Sequence, residues 1–161
     1  MTRLRRSHFL SLAVSAAVCA VAPTVAHAQS RPISLWLGAG RVVRQDSVSF
    51  SPRNLDAYGA VQLDLPMLPF ALRGDVTFAG GDWRNGRRNA VASAIMPLRL
   101  PVVTPYAMAG YGIYDWGKAG EKRGLSYGAG VRLQLGGVGL FGQVRHHNPL
   151  DRSVGTIGVV F

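Results

Sequence analysis

Ser153-Val154-Gly155-Thr156-Ile157-Gly158-Val159-Val160-Phe161 is a β-prone run, and one phase of it, Gly155, Ile157, Val159 and Phe161, is apolar. An apolar strand with a free edge invites pairing with other chains. A strand that closes a barrel against the first strand has no free edge, and an aromatic at its end can sit at a membrane interface. The run therefore predicts a closing strand. It sets a test for the rest of the chain, which must supply the other strands.

Read with period 2, residues 33–161 break into eight segments of transmembrane-strand length. They are Ile33–Val42, Leu55–Leu65, Phe70–Ala79, Ala90–Leu98, Pro105–Tyr114, Leu125–Leu135, Leu140–His146 and the closing run. The second is the clearest, with Leu55, Ala57, Gly59, Val61, Leu63 and Leu65 on one face and Asp56, Tyr58, Ala60, Gln62 and Asp64 on the other. The third sets Phe70, Leu72, Gly74, Val76 and Phe78 against Ala71, Arg73, Asp75 and Thr77. The sixth and seventh place Arg132, Gln134, Gln143 and Arg145 opposite an apolar face. In the fourth and fifth segments the two faces are too alike to assign.

The connections carry topology. Val43–Asn54, Gly80–Asn89, Asp115–Arg123 and His147–Arg152 read as long and polar, whereas Pro66–Pro69, Pro97–Pro101 and Gly136–Val138 read as short. Up-and-down membrane barrels have short periplasmic turns and longer outer loops, and this alternation matches. A soluble β-barrel carrier in the periplasm would also alternate, but its polar faces would meet water. Here no segment contains lysine, and Asp56, Asp64 and Asp75 can pair with Arg73, Arg132 and Arg145 inside a narrow lumen. The expected fold is all-β: an eight-stranded antiparallel up-and-down transmembrane barrel over residues 29–161.

The first 28 residues read as a cleaved signal peptide: a basic start with Arg3, Arg5 and Arg6, an apolar run from Phe9 to Ala22, and Ala26-His27-Ala28 as a small-x-small cleavage site. The apolar run is shorter than the about 20 residues that a spanning helix needs. Beyond residue 28 there is no cysteine, which excludes disulfides and thiolate metal sites there. Fifteen cations stand against eight acids in that part, and only Lys118 and Lys122 are lysines. For an exported chain the counterpart of this charge is anionic lipid rather than nucleic acid.

With its Ala26-His27-Ala28 leader, the run Thr104-Pro105-Tyr106-Ala107-Met108-Ala109-Gly110-Tyr111-Gly112, the run Phe141-Gly142-Gln143-Val144-Arg145 and Phe161, the sequence resembles the small outer-membrane β-barrel proteins of Gram-negative bacteria. That class includes the OmpA transmembrane domain and OmpX. The resemblance implies an outer-membrane location and makes Phe161, with Val159 and Ile157, a signal for the barrel assembly machinery. No OmpA-like peptidoglycan-binding domain is visible after the barrel.

Eight strands enclose a lumen that side chains fill, so the interior Asp/Arg set reads as structural packing, with a narrow ion path left open. Arg145-His146-His147-Asn148 is the one cluster with catalytic flavour. His146 continues the apolar phase and would face lipid headgroups, which resembles lipid A deacylases with a His-x-Ser motif. The position two after His146 is Asn148, so the nucleophile is missing, and a lipid A-modifying enzyme using His146 stays an alternative. The two histidines point to opposite faces, an arrangement unsuited to a shared metal. Arg41 and Arg44 at the first outer loop, Arg84, Arg87 and Arg88 at the second, and Lys118, Lys122 and Arg123 at the third either pair with lipopolysaccharide phosphates or keep the loops solvated. Trp83, Trp116, Phe78, Tyr114 and Tyr127 suit an aromatic interface belt. The sequence is thus read as a monomeric, non-enzymatic membrane barrel without cofactor, with outer-membrane lipids and lipopolysaccharide as its partners.

Overall fold

A computed structural model describes residues 32–43, 55–65, 67–79, 86–100 and 102–161. The signal peptide and its cleavage site, with Arg44, Trp83 and Arg84, lie outside the described residues. Eight strands follow one another: β1 (Ile33–Val43), β2 (Asp56–Asp64), β3 (Ala71–Ala79), β4 (Arg87–Pro97), β5 (Val103–Tyr114), β6 (Lys122–Leu135), β7 (Val138–His147) and β8 (Arg152–Val160). Each pairs antiparallel with its sequence neighbours, and β1 pairs with β8 to give a closed up-and-down barrel.

Closure runs from Trp36 opposite Val160 to Val43 opposite Ser153. Past the last ladder pair, Phe161 donates its amide to Leu35 O at 2.9 Å and accepts from Leu35 N at 3.1 Å. The closing strand expected from its apolar phase is thus the partner of the first.

Polarity is inverted across the wall. Leu35, Val61, Leu125 and Ile157 point outward and are 44%, 53%, 60% and 72% exposed, whereas Arg73 and Arg145 point inward at 2% and 3%. On β6 the outward series Leu125, Tyr127, Ala129, Val131, Leu133, Leu135 covers ten residue steps. At about 3.4 Å per step and a tilt of about 40° this makes a belt about 26 Å tall, the height of a bilayer's apolar band.

The structure also assigns the two strands whose facing the sequence leaves open. On β4, Asn89, Val91, Ser93 and Ile95 are buried inside and Ala92, Ala94 and Met96 are exposed outside. On β5, Tyr106, Met108 and Tyr114 are inside, and Ala107, Ala109 and Tyr111 outside. The inner side here mixes Asn89 and Ser93 with Val91, Ile95, Tyr106 and Met108, so alternation in hydropathy fades. The apolar part of the lumen joins Trp36, Tyr58, Tyr106, Met108, Ile95 and Phe141.

Small residues on the inner face of β6 make room for these rings. A Cβ on Gly130 would fall 2.5 Å from the Tyr106 ring and 2.7 Å from Gly142 O. The β6–β7 turn is tight, and Gly136 takes φ +65°, a conformation that side chains rarely adopt.

Several boundaries differ from the sequence reading. Arg87, Arg88, Lys122 and Arg123 are strand residues, because their backbones continue the β3–β4 and β5–β6 ladders. The fourth outer connection is only 148–151, a 3₁₀ turn at Asn148–Leu150 followed by Asp151 in the left-handed region, so it is shorter than the inner connection 65–70. The alternation of long and short connections holds for the first three outer loops and fails at the fourth.

Over-packing the inner face of β6 should cost more than changing its outer face. Gly130→Val is expected to lower stability by about 1–3 kcal/mol, and Val131→Leu, pointing outward next to it, to change it little. The urea midpoint of the folded band on an unboiled detergent gel reads both.

Candidate functional site

Polar side chains inside the barrel arrive from β2, β3 and β7 because each strand alternates polar and apolar positions. Arg145 on β7 reaches across to β3, where Nη1 donates to both oxygens of Asp75 at 2.8 Å. Its Nη2 also donates to Ser93 Oγ at 3.3 Å, and Nε and Nη2 reach Met108 Sδ at 3.2 and 3.0 Å. Both members of the ion pair are buried. A buried cation needs this number of partners, since removal from water costs several kcal/mol per ion.

Arg73, on β3, makes the reverse crossing. Its Nη1 donates to Gln143 Oε1 on β7 at 3.0 Å, while Nε and Nη2 donate to Gln62 Oε1 at 3.1 and 2.6 Å. Its guanidinium carbon lies 3.8 Å from the centre of the Trp36 ring and 5.2 Å from that of Tyr106, so the aromatic faces cover the cation. Gln143 Oε1 also accepts from Tyr106 Oη at 3.1 Å. Strands β3 and β7 are four apart in a ring of eight, so Arg145–Asp75 and Arg73–Gln143 are two struts across the diameter.

The six interior charges proposed from sequence therefore take different partners from a simple Asp/Arg network. Asp75 and Arg145 meet directly. Asp64 accepts from Gln62 Nε2 at 3.1 and 3.0 Å, so the Gln62 amide stands between Asp64 and Arg73. Arg132 is half-buried near the inner end and donates to Gln134 Oε1 at 2.7 Å. Asp56 is buried near the outer end. Amides replace carboxylates as partners because Gln62 on the adjacent β2 and Gln143 on β7 across the lumen occupy the inward phase that Arg73 reaches. That shared phase was the signal for them in the sequence. Met108 and Tyr106 had no such signal, since both phases of β5 carry apolar or aromatic side chains, and on β4 Ser93 stands between the apolar Val91 and Ile95.

Above the struts lies a small polar cleft whose lining includes Asp56, Tyr58, Asn89, Arg145, His147 and Arg152. Its volume is about 20 Å³, room for about one water. The ring of His147 turns inward, with Nδ1 3.1 Å from Tyr114 Oη. Tyr114 is fully buried in the lumen and not in the aromatic belt, because it continues the inward phase of Tyr106 and Met108. Trp116, Tyr127 and Tyr111 are exposed, and Phe78 is half-buried on the outward phase of β3.

At the outer rim, Arg88, Lys118, Lys122 and Arg123 are exposed. Arg87 lies 3.8 Å from Asp115 with its own side chain 59% exposed. Arg123 bonds Glu121 at 2.9 Å, and with the Gly117 amide it holds the Glu121 carboxyl below the usual carboxylate range. Arg41 is half-buried on the outward phase of β1.

Closed topology, an apolar outer belt and a filled polar lumen occur together in one architecture. The chain is a small barrel of the outer-membrane type. No protein-family model and no curated protein matches it. Among solved structures it is similar to Ail, the attachment invasion locus protein of Yersinia pestis, at 17% identity over 80% of this chain and 96% of that one, with a TM-score of 0.48. The same protein in complex with the heparin analogue sucrose octasulfate gives 17% identity, the same coverage and a TM-score of 0.46. A mutant porin of Rh. blastica gives 20% identity over 83% of this chain and 52% of that one, with a TM-score of 0.25. The barrel assignment rests on the strand pairing itself and not on these likenesses.

Arg145→Ala should destabilise the barrel by about 3–5 kcal/mol, because it strands the buried Asp75 carboxylate. The double variant Asp75→Asn/Arg145→Gln should lose less than Arg145→Ala alone, since no uncompensated charge remains. Urea titration of the three proteins, refolded in one detergent, reads the coupling.

Proposed function

We propose that the chain is a non-enzymatic protein of the bacterial outer membrane, with a structural or surface-interaction role. The observation that carries this reading is the inversion of polarity: hydrocarbon-like side chains outside, a hydrogen-bonded charge network inside. A soluble β-barrel carrier would present the opposite arrangement, and a lumen packed by Trp36, Tyr106, Arg73 and Phe141 has no space for a cargo. The filled lumen also argues against an open diffusion pore.

In this reading the belt lies in the bilayer, the connections 44–55, 80–86, 115–121 and 148–151 face outward, and 65–70, 98–102 and 136–137 face the periplasm. Export through a cleaved signal peptide is part of the proposal, as is assembly guided by Ile157, Val159 and Phe161. These three residues occupy the outward phase of the closing strand. Arg87, Arg88, Lys118, Lys122 and Arg123 gather on the rim of β4, β5 and β6. Arginine and lysine at this level suit the phosphates of lipopolysaccharide, with Arg41 and Arg84 as further contacts.

Cell fractionation tests the reading. The protein should be recovered with outer membranes, require detergent for release, and shift in gel mobility on boiling. Folded protein in the detergent-free periplasmic fraction would overturn it. For the rim, replacing Arg88, Lys122 and Arg123 together by Gln should weaken binding to lipopolysaccharide micelles while the boiling-sensitive mobility is kept.

A further inference from the structure

The two ends of the barrel differ in chemistry. Each of the four outer connections carries charge, for example Arg44, Asp82, Lys118 and Asp151. The three on the other side, 65–70, 98–102 and 136–137, hold Arg99 as their single charged residue. In place of charge, two of them carry Met67, Leu68, Leu98, Leu100 and Val102. Met67 is 94% exposed, Leu98 63% and Leu100 49%. Exposed apolar groups of this size, gathered at one end, mark an interaction surface.

Both turns continue the belt. On β4 the outward series Ala92, Ala94, Met96 runs on into Leu98 and Leu100, all exposed. The Leu98 amide donates to Pro105 O at 2.8 Å, which extends the β4–β5 ladder by one row. On the far side of the turn, Val102 O accepts from Gln134 N at 3.0 Å. That row adjoins Leu133 and Leu135, the last residues of the belt on β6. The β2–β3 turn is held as closely, with the Leu68 amide donating to Leu65 O at 3.0 Å. Both turns are thus tied to the strand ends.

Arg99 lies between Leu98 and Leu100 and is exposed with them. An arginine so placed lays its stem on apolar surface and carries its head to the level of headgroup phosphates, with which it pairs. Water meets leucine and methionine side chains at a cost. A soluble partner could cover them, but this surface has no polar rim of its own on the side of the strands. It runs directly into the belt. The occupant that meets belt and turns together is the bilayer.

We propose that the β2–β3 and β4–β5 turns insert into the lipid leaflet on their side of the membrane. Met67, Leu68, Leu98 and Leu100 form an apolar collar against the acyl chains, and Arg99 pairs with a lipid phosphate. The β6–β7 turn, Gly136-Gly137, has no side chains to add to the collar. The contact is therefore one-sided, confined to the wall from β2 to β5. This inference rests on the membrane reading above and concerns the end of the barrel opposite the basic rim.

A nitroxide label reads the contact. The whole chain, with Cys19→Ser so that one introduced cysteine takes the label, is folded into bilayers of phosphatidylethanolamine and phosphatidylglycerol. Leu100→Cys and Met67→Cys report on the turns, Val131→Cys on the belt and Lys118→Cys on the aqueous outer side. The ratio of collisions with oxygen to collisions with a water-soluble nickel chelate should be lipid-like at positions 67, 100 and 131. It should exceed the ratio at position 118 about fivefold or more, since hydrocarbon excludes a polar chelate. Boiling-sensitive mobility verifies that each variant is folded, and Leu98→Cys or Leu68→Cys replaces a turn variant that is not. Adding Arg99→Glu to Leu100→Cys should lower the ratio at position 100, and no change there overturns the pairing of Arg99 with phosphate. An aqueous ratio at 67 or 100, beside a lipid-like one at 131, overturns the collar. So does shielding of either label from both reagents, which means contact between copies of the chain. An aqueous ratio at 131 overturns the membrane reading instead.

Discussion

Two arginines crossing the lumen in opposite senses hold the barrel to one shape. Arg145 runs from β7 to Asp75 on β3, and Arg73 runs from β3 to Gln143 on β7. The two acceptors and two donors occupy alternate positions on their strands, so one pair of strands carries both crossings. A one-residue slip of either strand would turn these groups into the bilayer and bring apolar side chains inside. The charge network thus fixes register as well as filling space. Its components also fill the lumen: the Arg73 guanidinium lies on the Trp36 ring and bonds the amides of Gln62 and Gln143.

Much of this was legible in the sequence because the outward and inward phases differ in chemistry on β1, β2, β3, β6, β7 and β8. The inward placement of Asp56, Asp75, Arg73 and Arg145 follows from alternation alone. Their partners do not. Whether Arg73 finds a carboxylate or an amide depends on the stagger between strands, which no single strand encodes. The Gln62 bridge between Arg73 and Asp64 is of this kind. The facing of β4 and β5 was hidden because Val91, Ile95, Tyr106 and Met108 break the run of polar residues on their inward side, leaving only Asn89 and Ser93 on β4 to mark it.

The rim shows a second limit. Lys122 and Arg123 read as loop residues because charge suggests solvent, yet their backbones pair with Tyr114 and Ile113. Strands that extend past the hydrophobic belt carry polar side chains without losing their ladder, so hydropathy marks where the membrane ends and not where the strand ends. The fourth outer connection shows the reverse case. His147 and Arg152 look like loop residues but face each other across the β7–β8 ladder, and the chain turns tightly between them through Pro149.

Perpendicular to the arginine struts, Trp36 on β1 meets Tyr106 on β5 edge to face, with ring centres 5.9 Å apart. These strands too are four apart, so the cross-section has a polar diameter and an aromatic one. Charge-assisted bonds resist changes in length steeply, whereas ring edges slide against one another in shallow potentials. The barrel is therefore a tube with unequal stiffness. Lateral pressure from the bilayer should deform it into an ellipse along the β1–β5 axis, and thermal breathing should widen the gap between the rings before it parts Arg145 from Asp75.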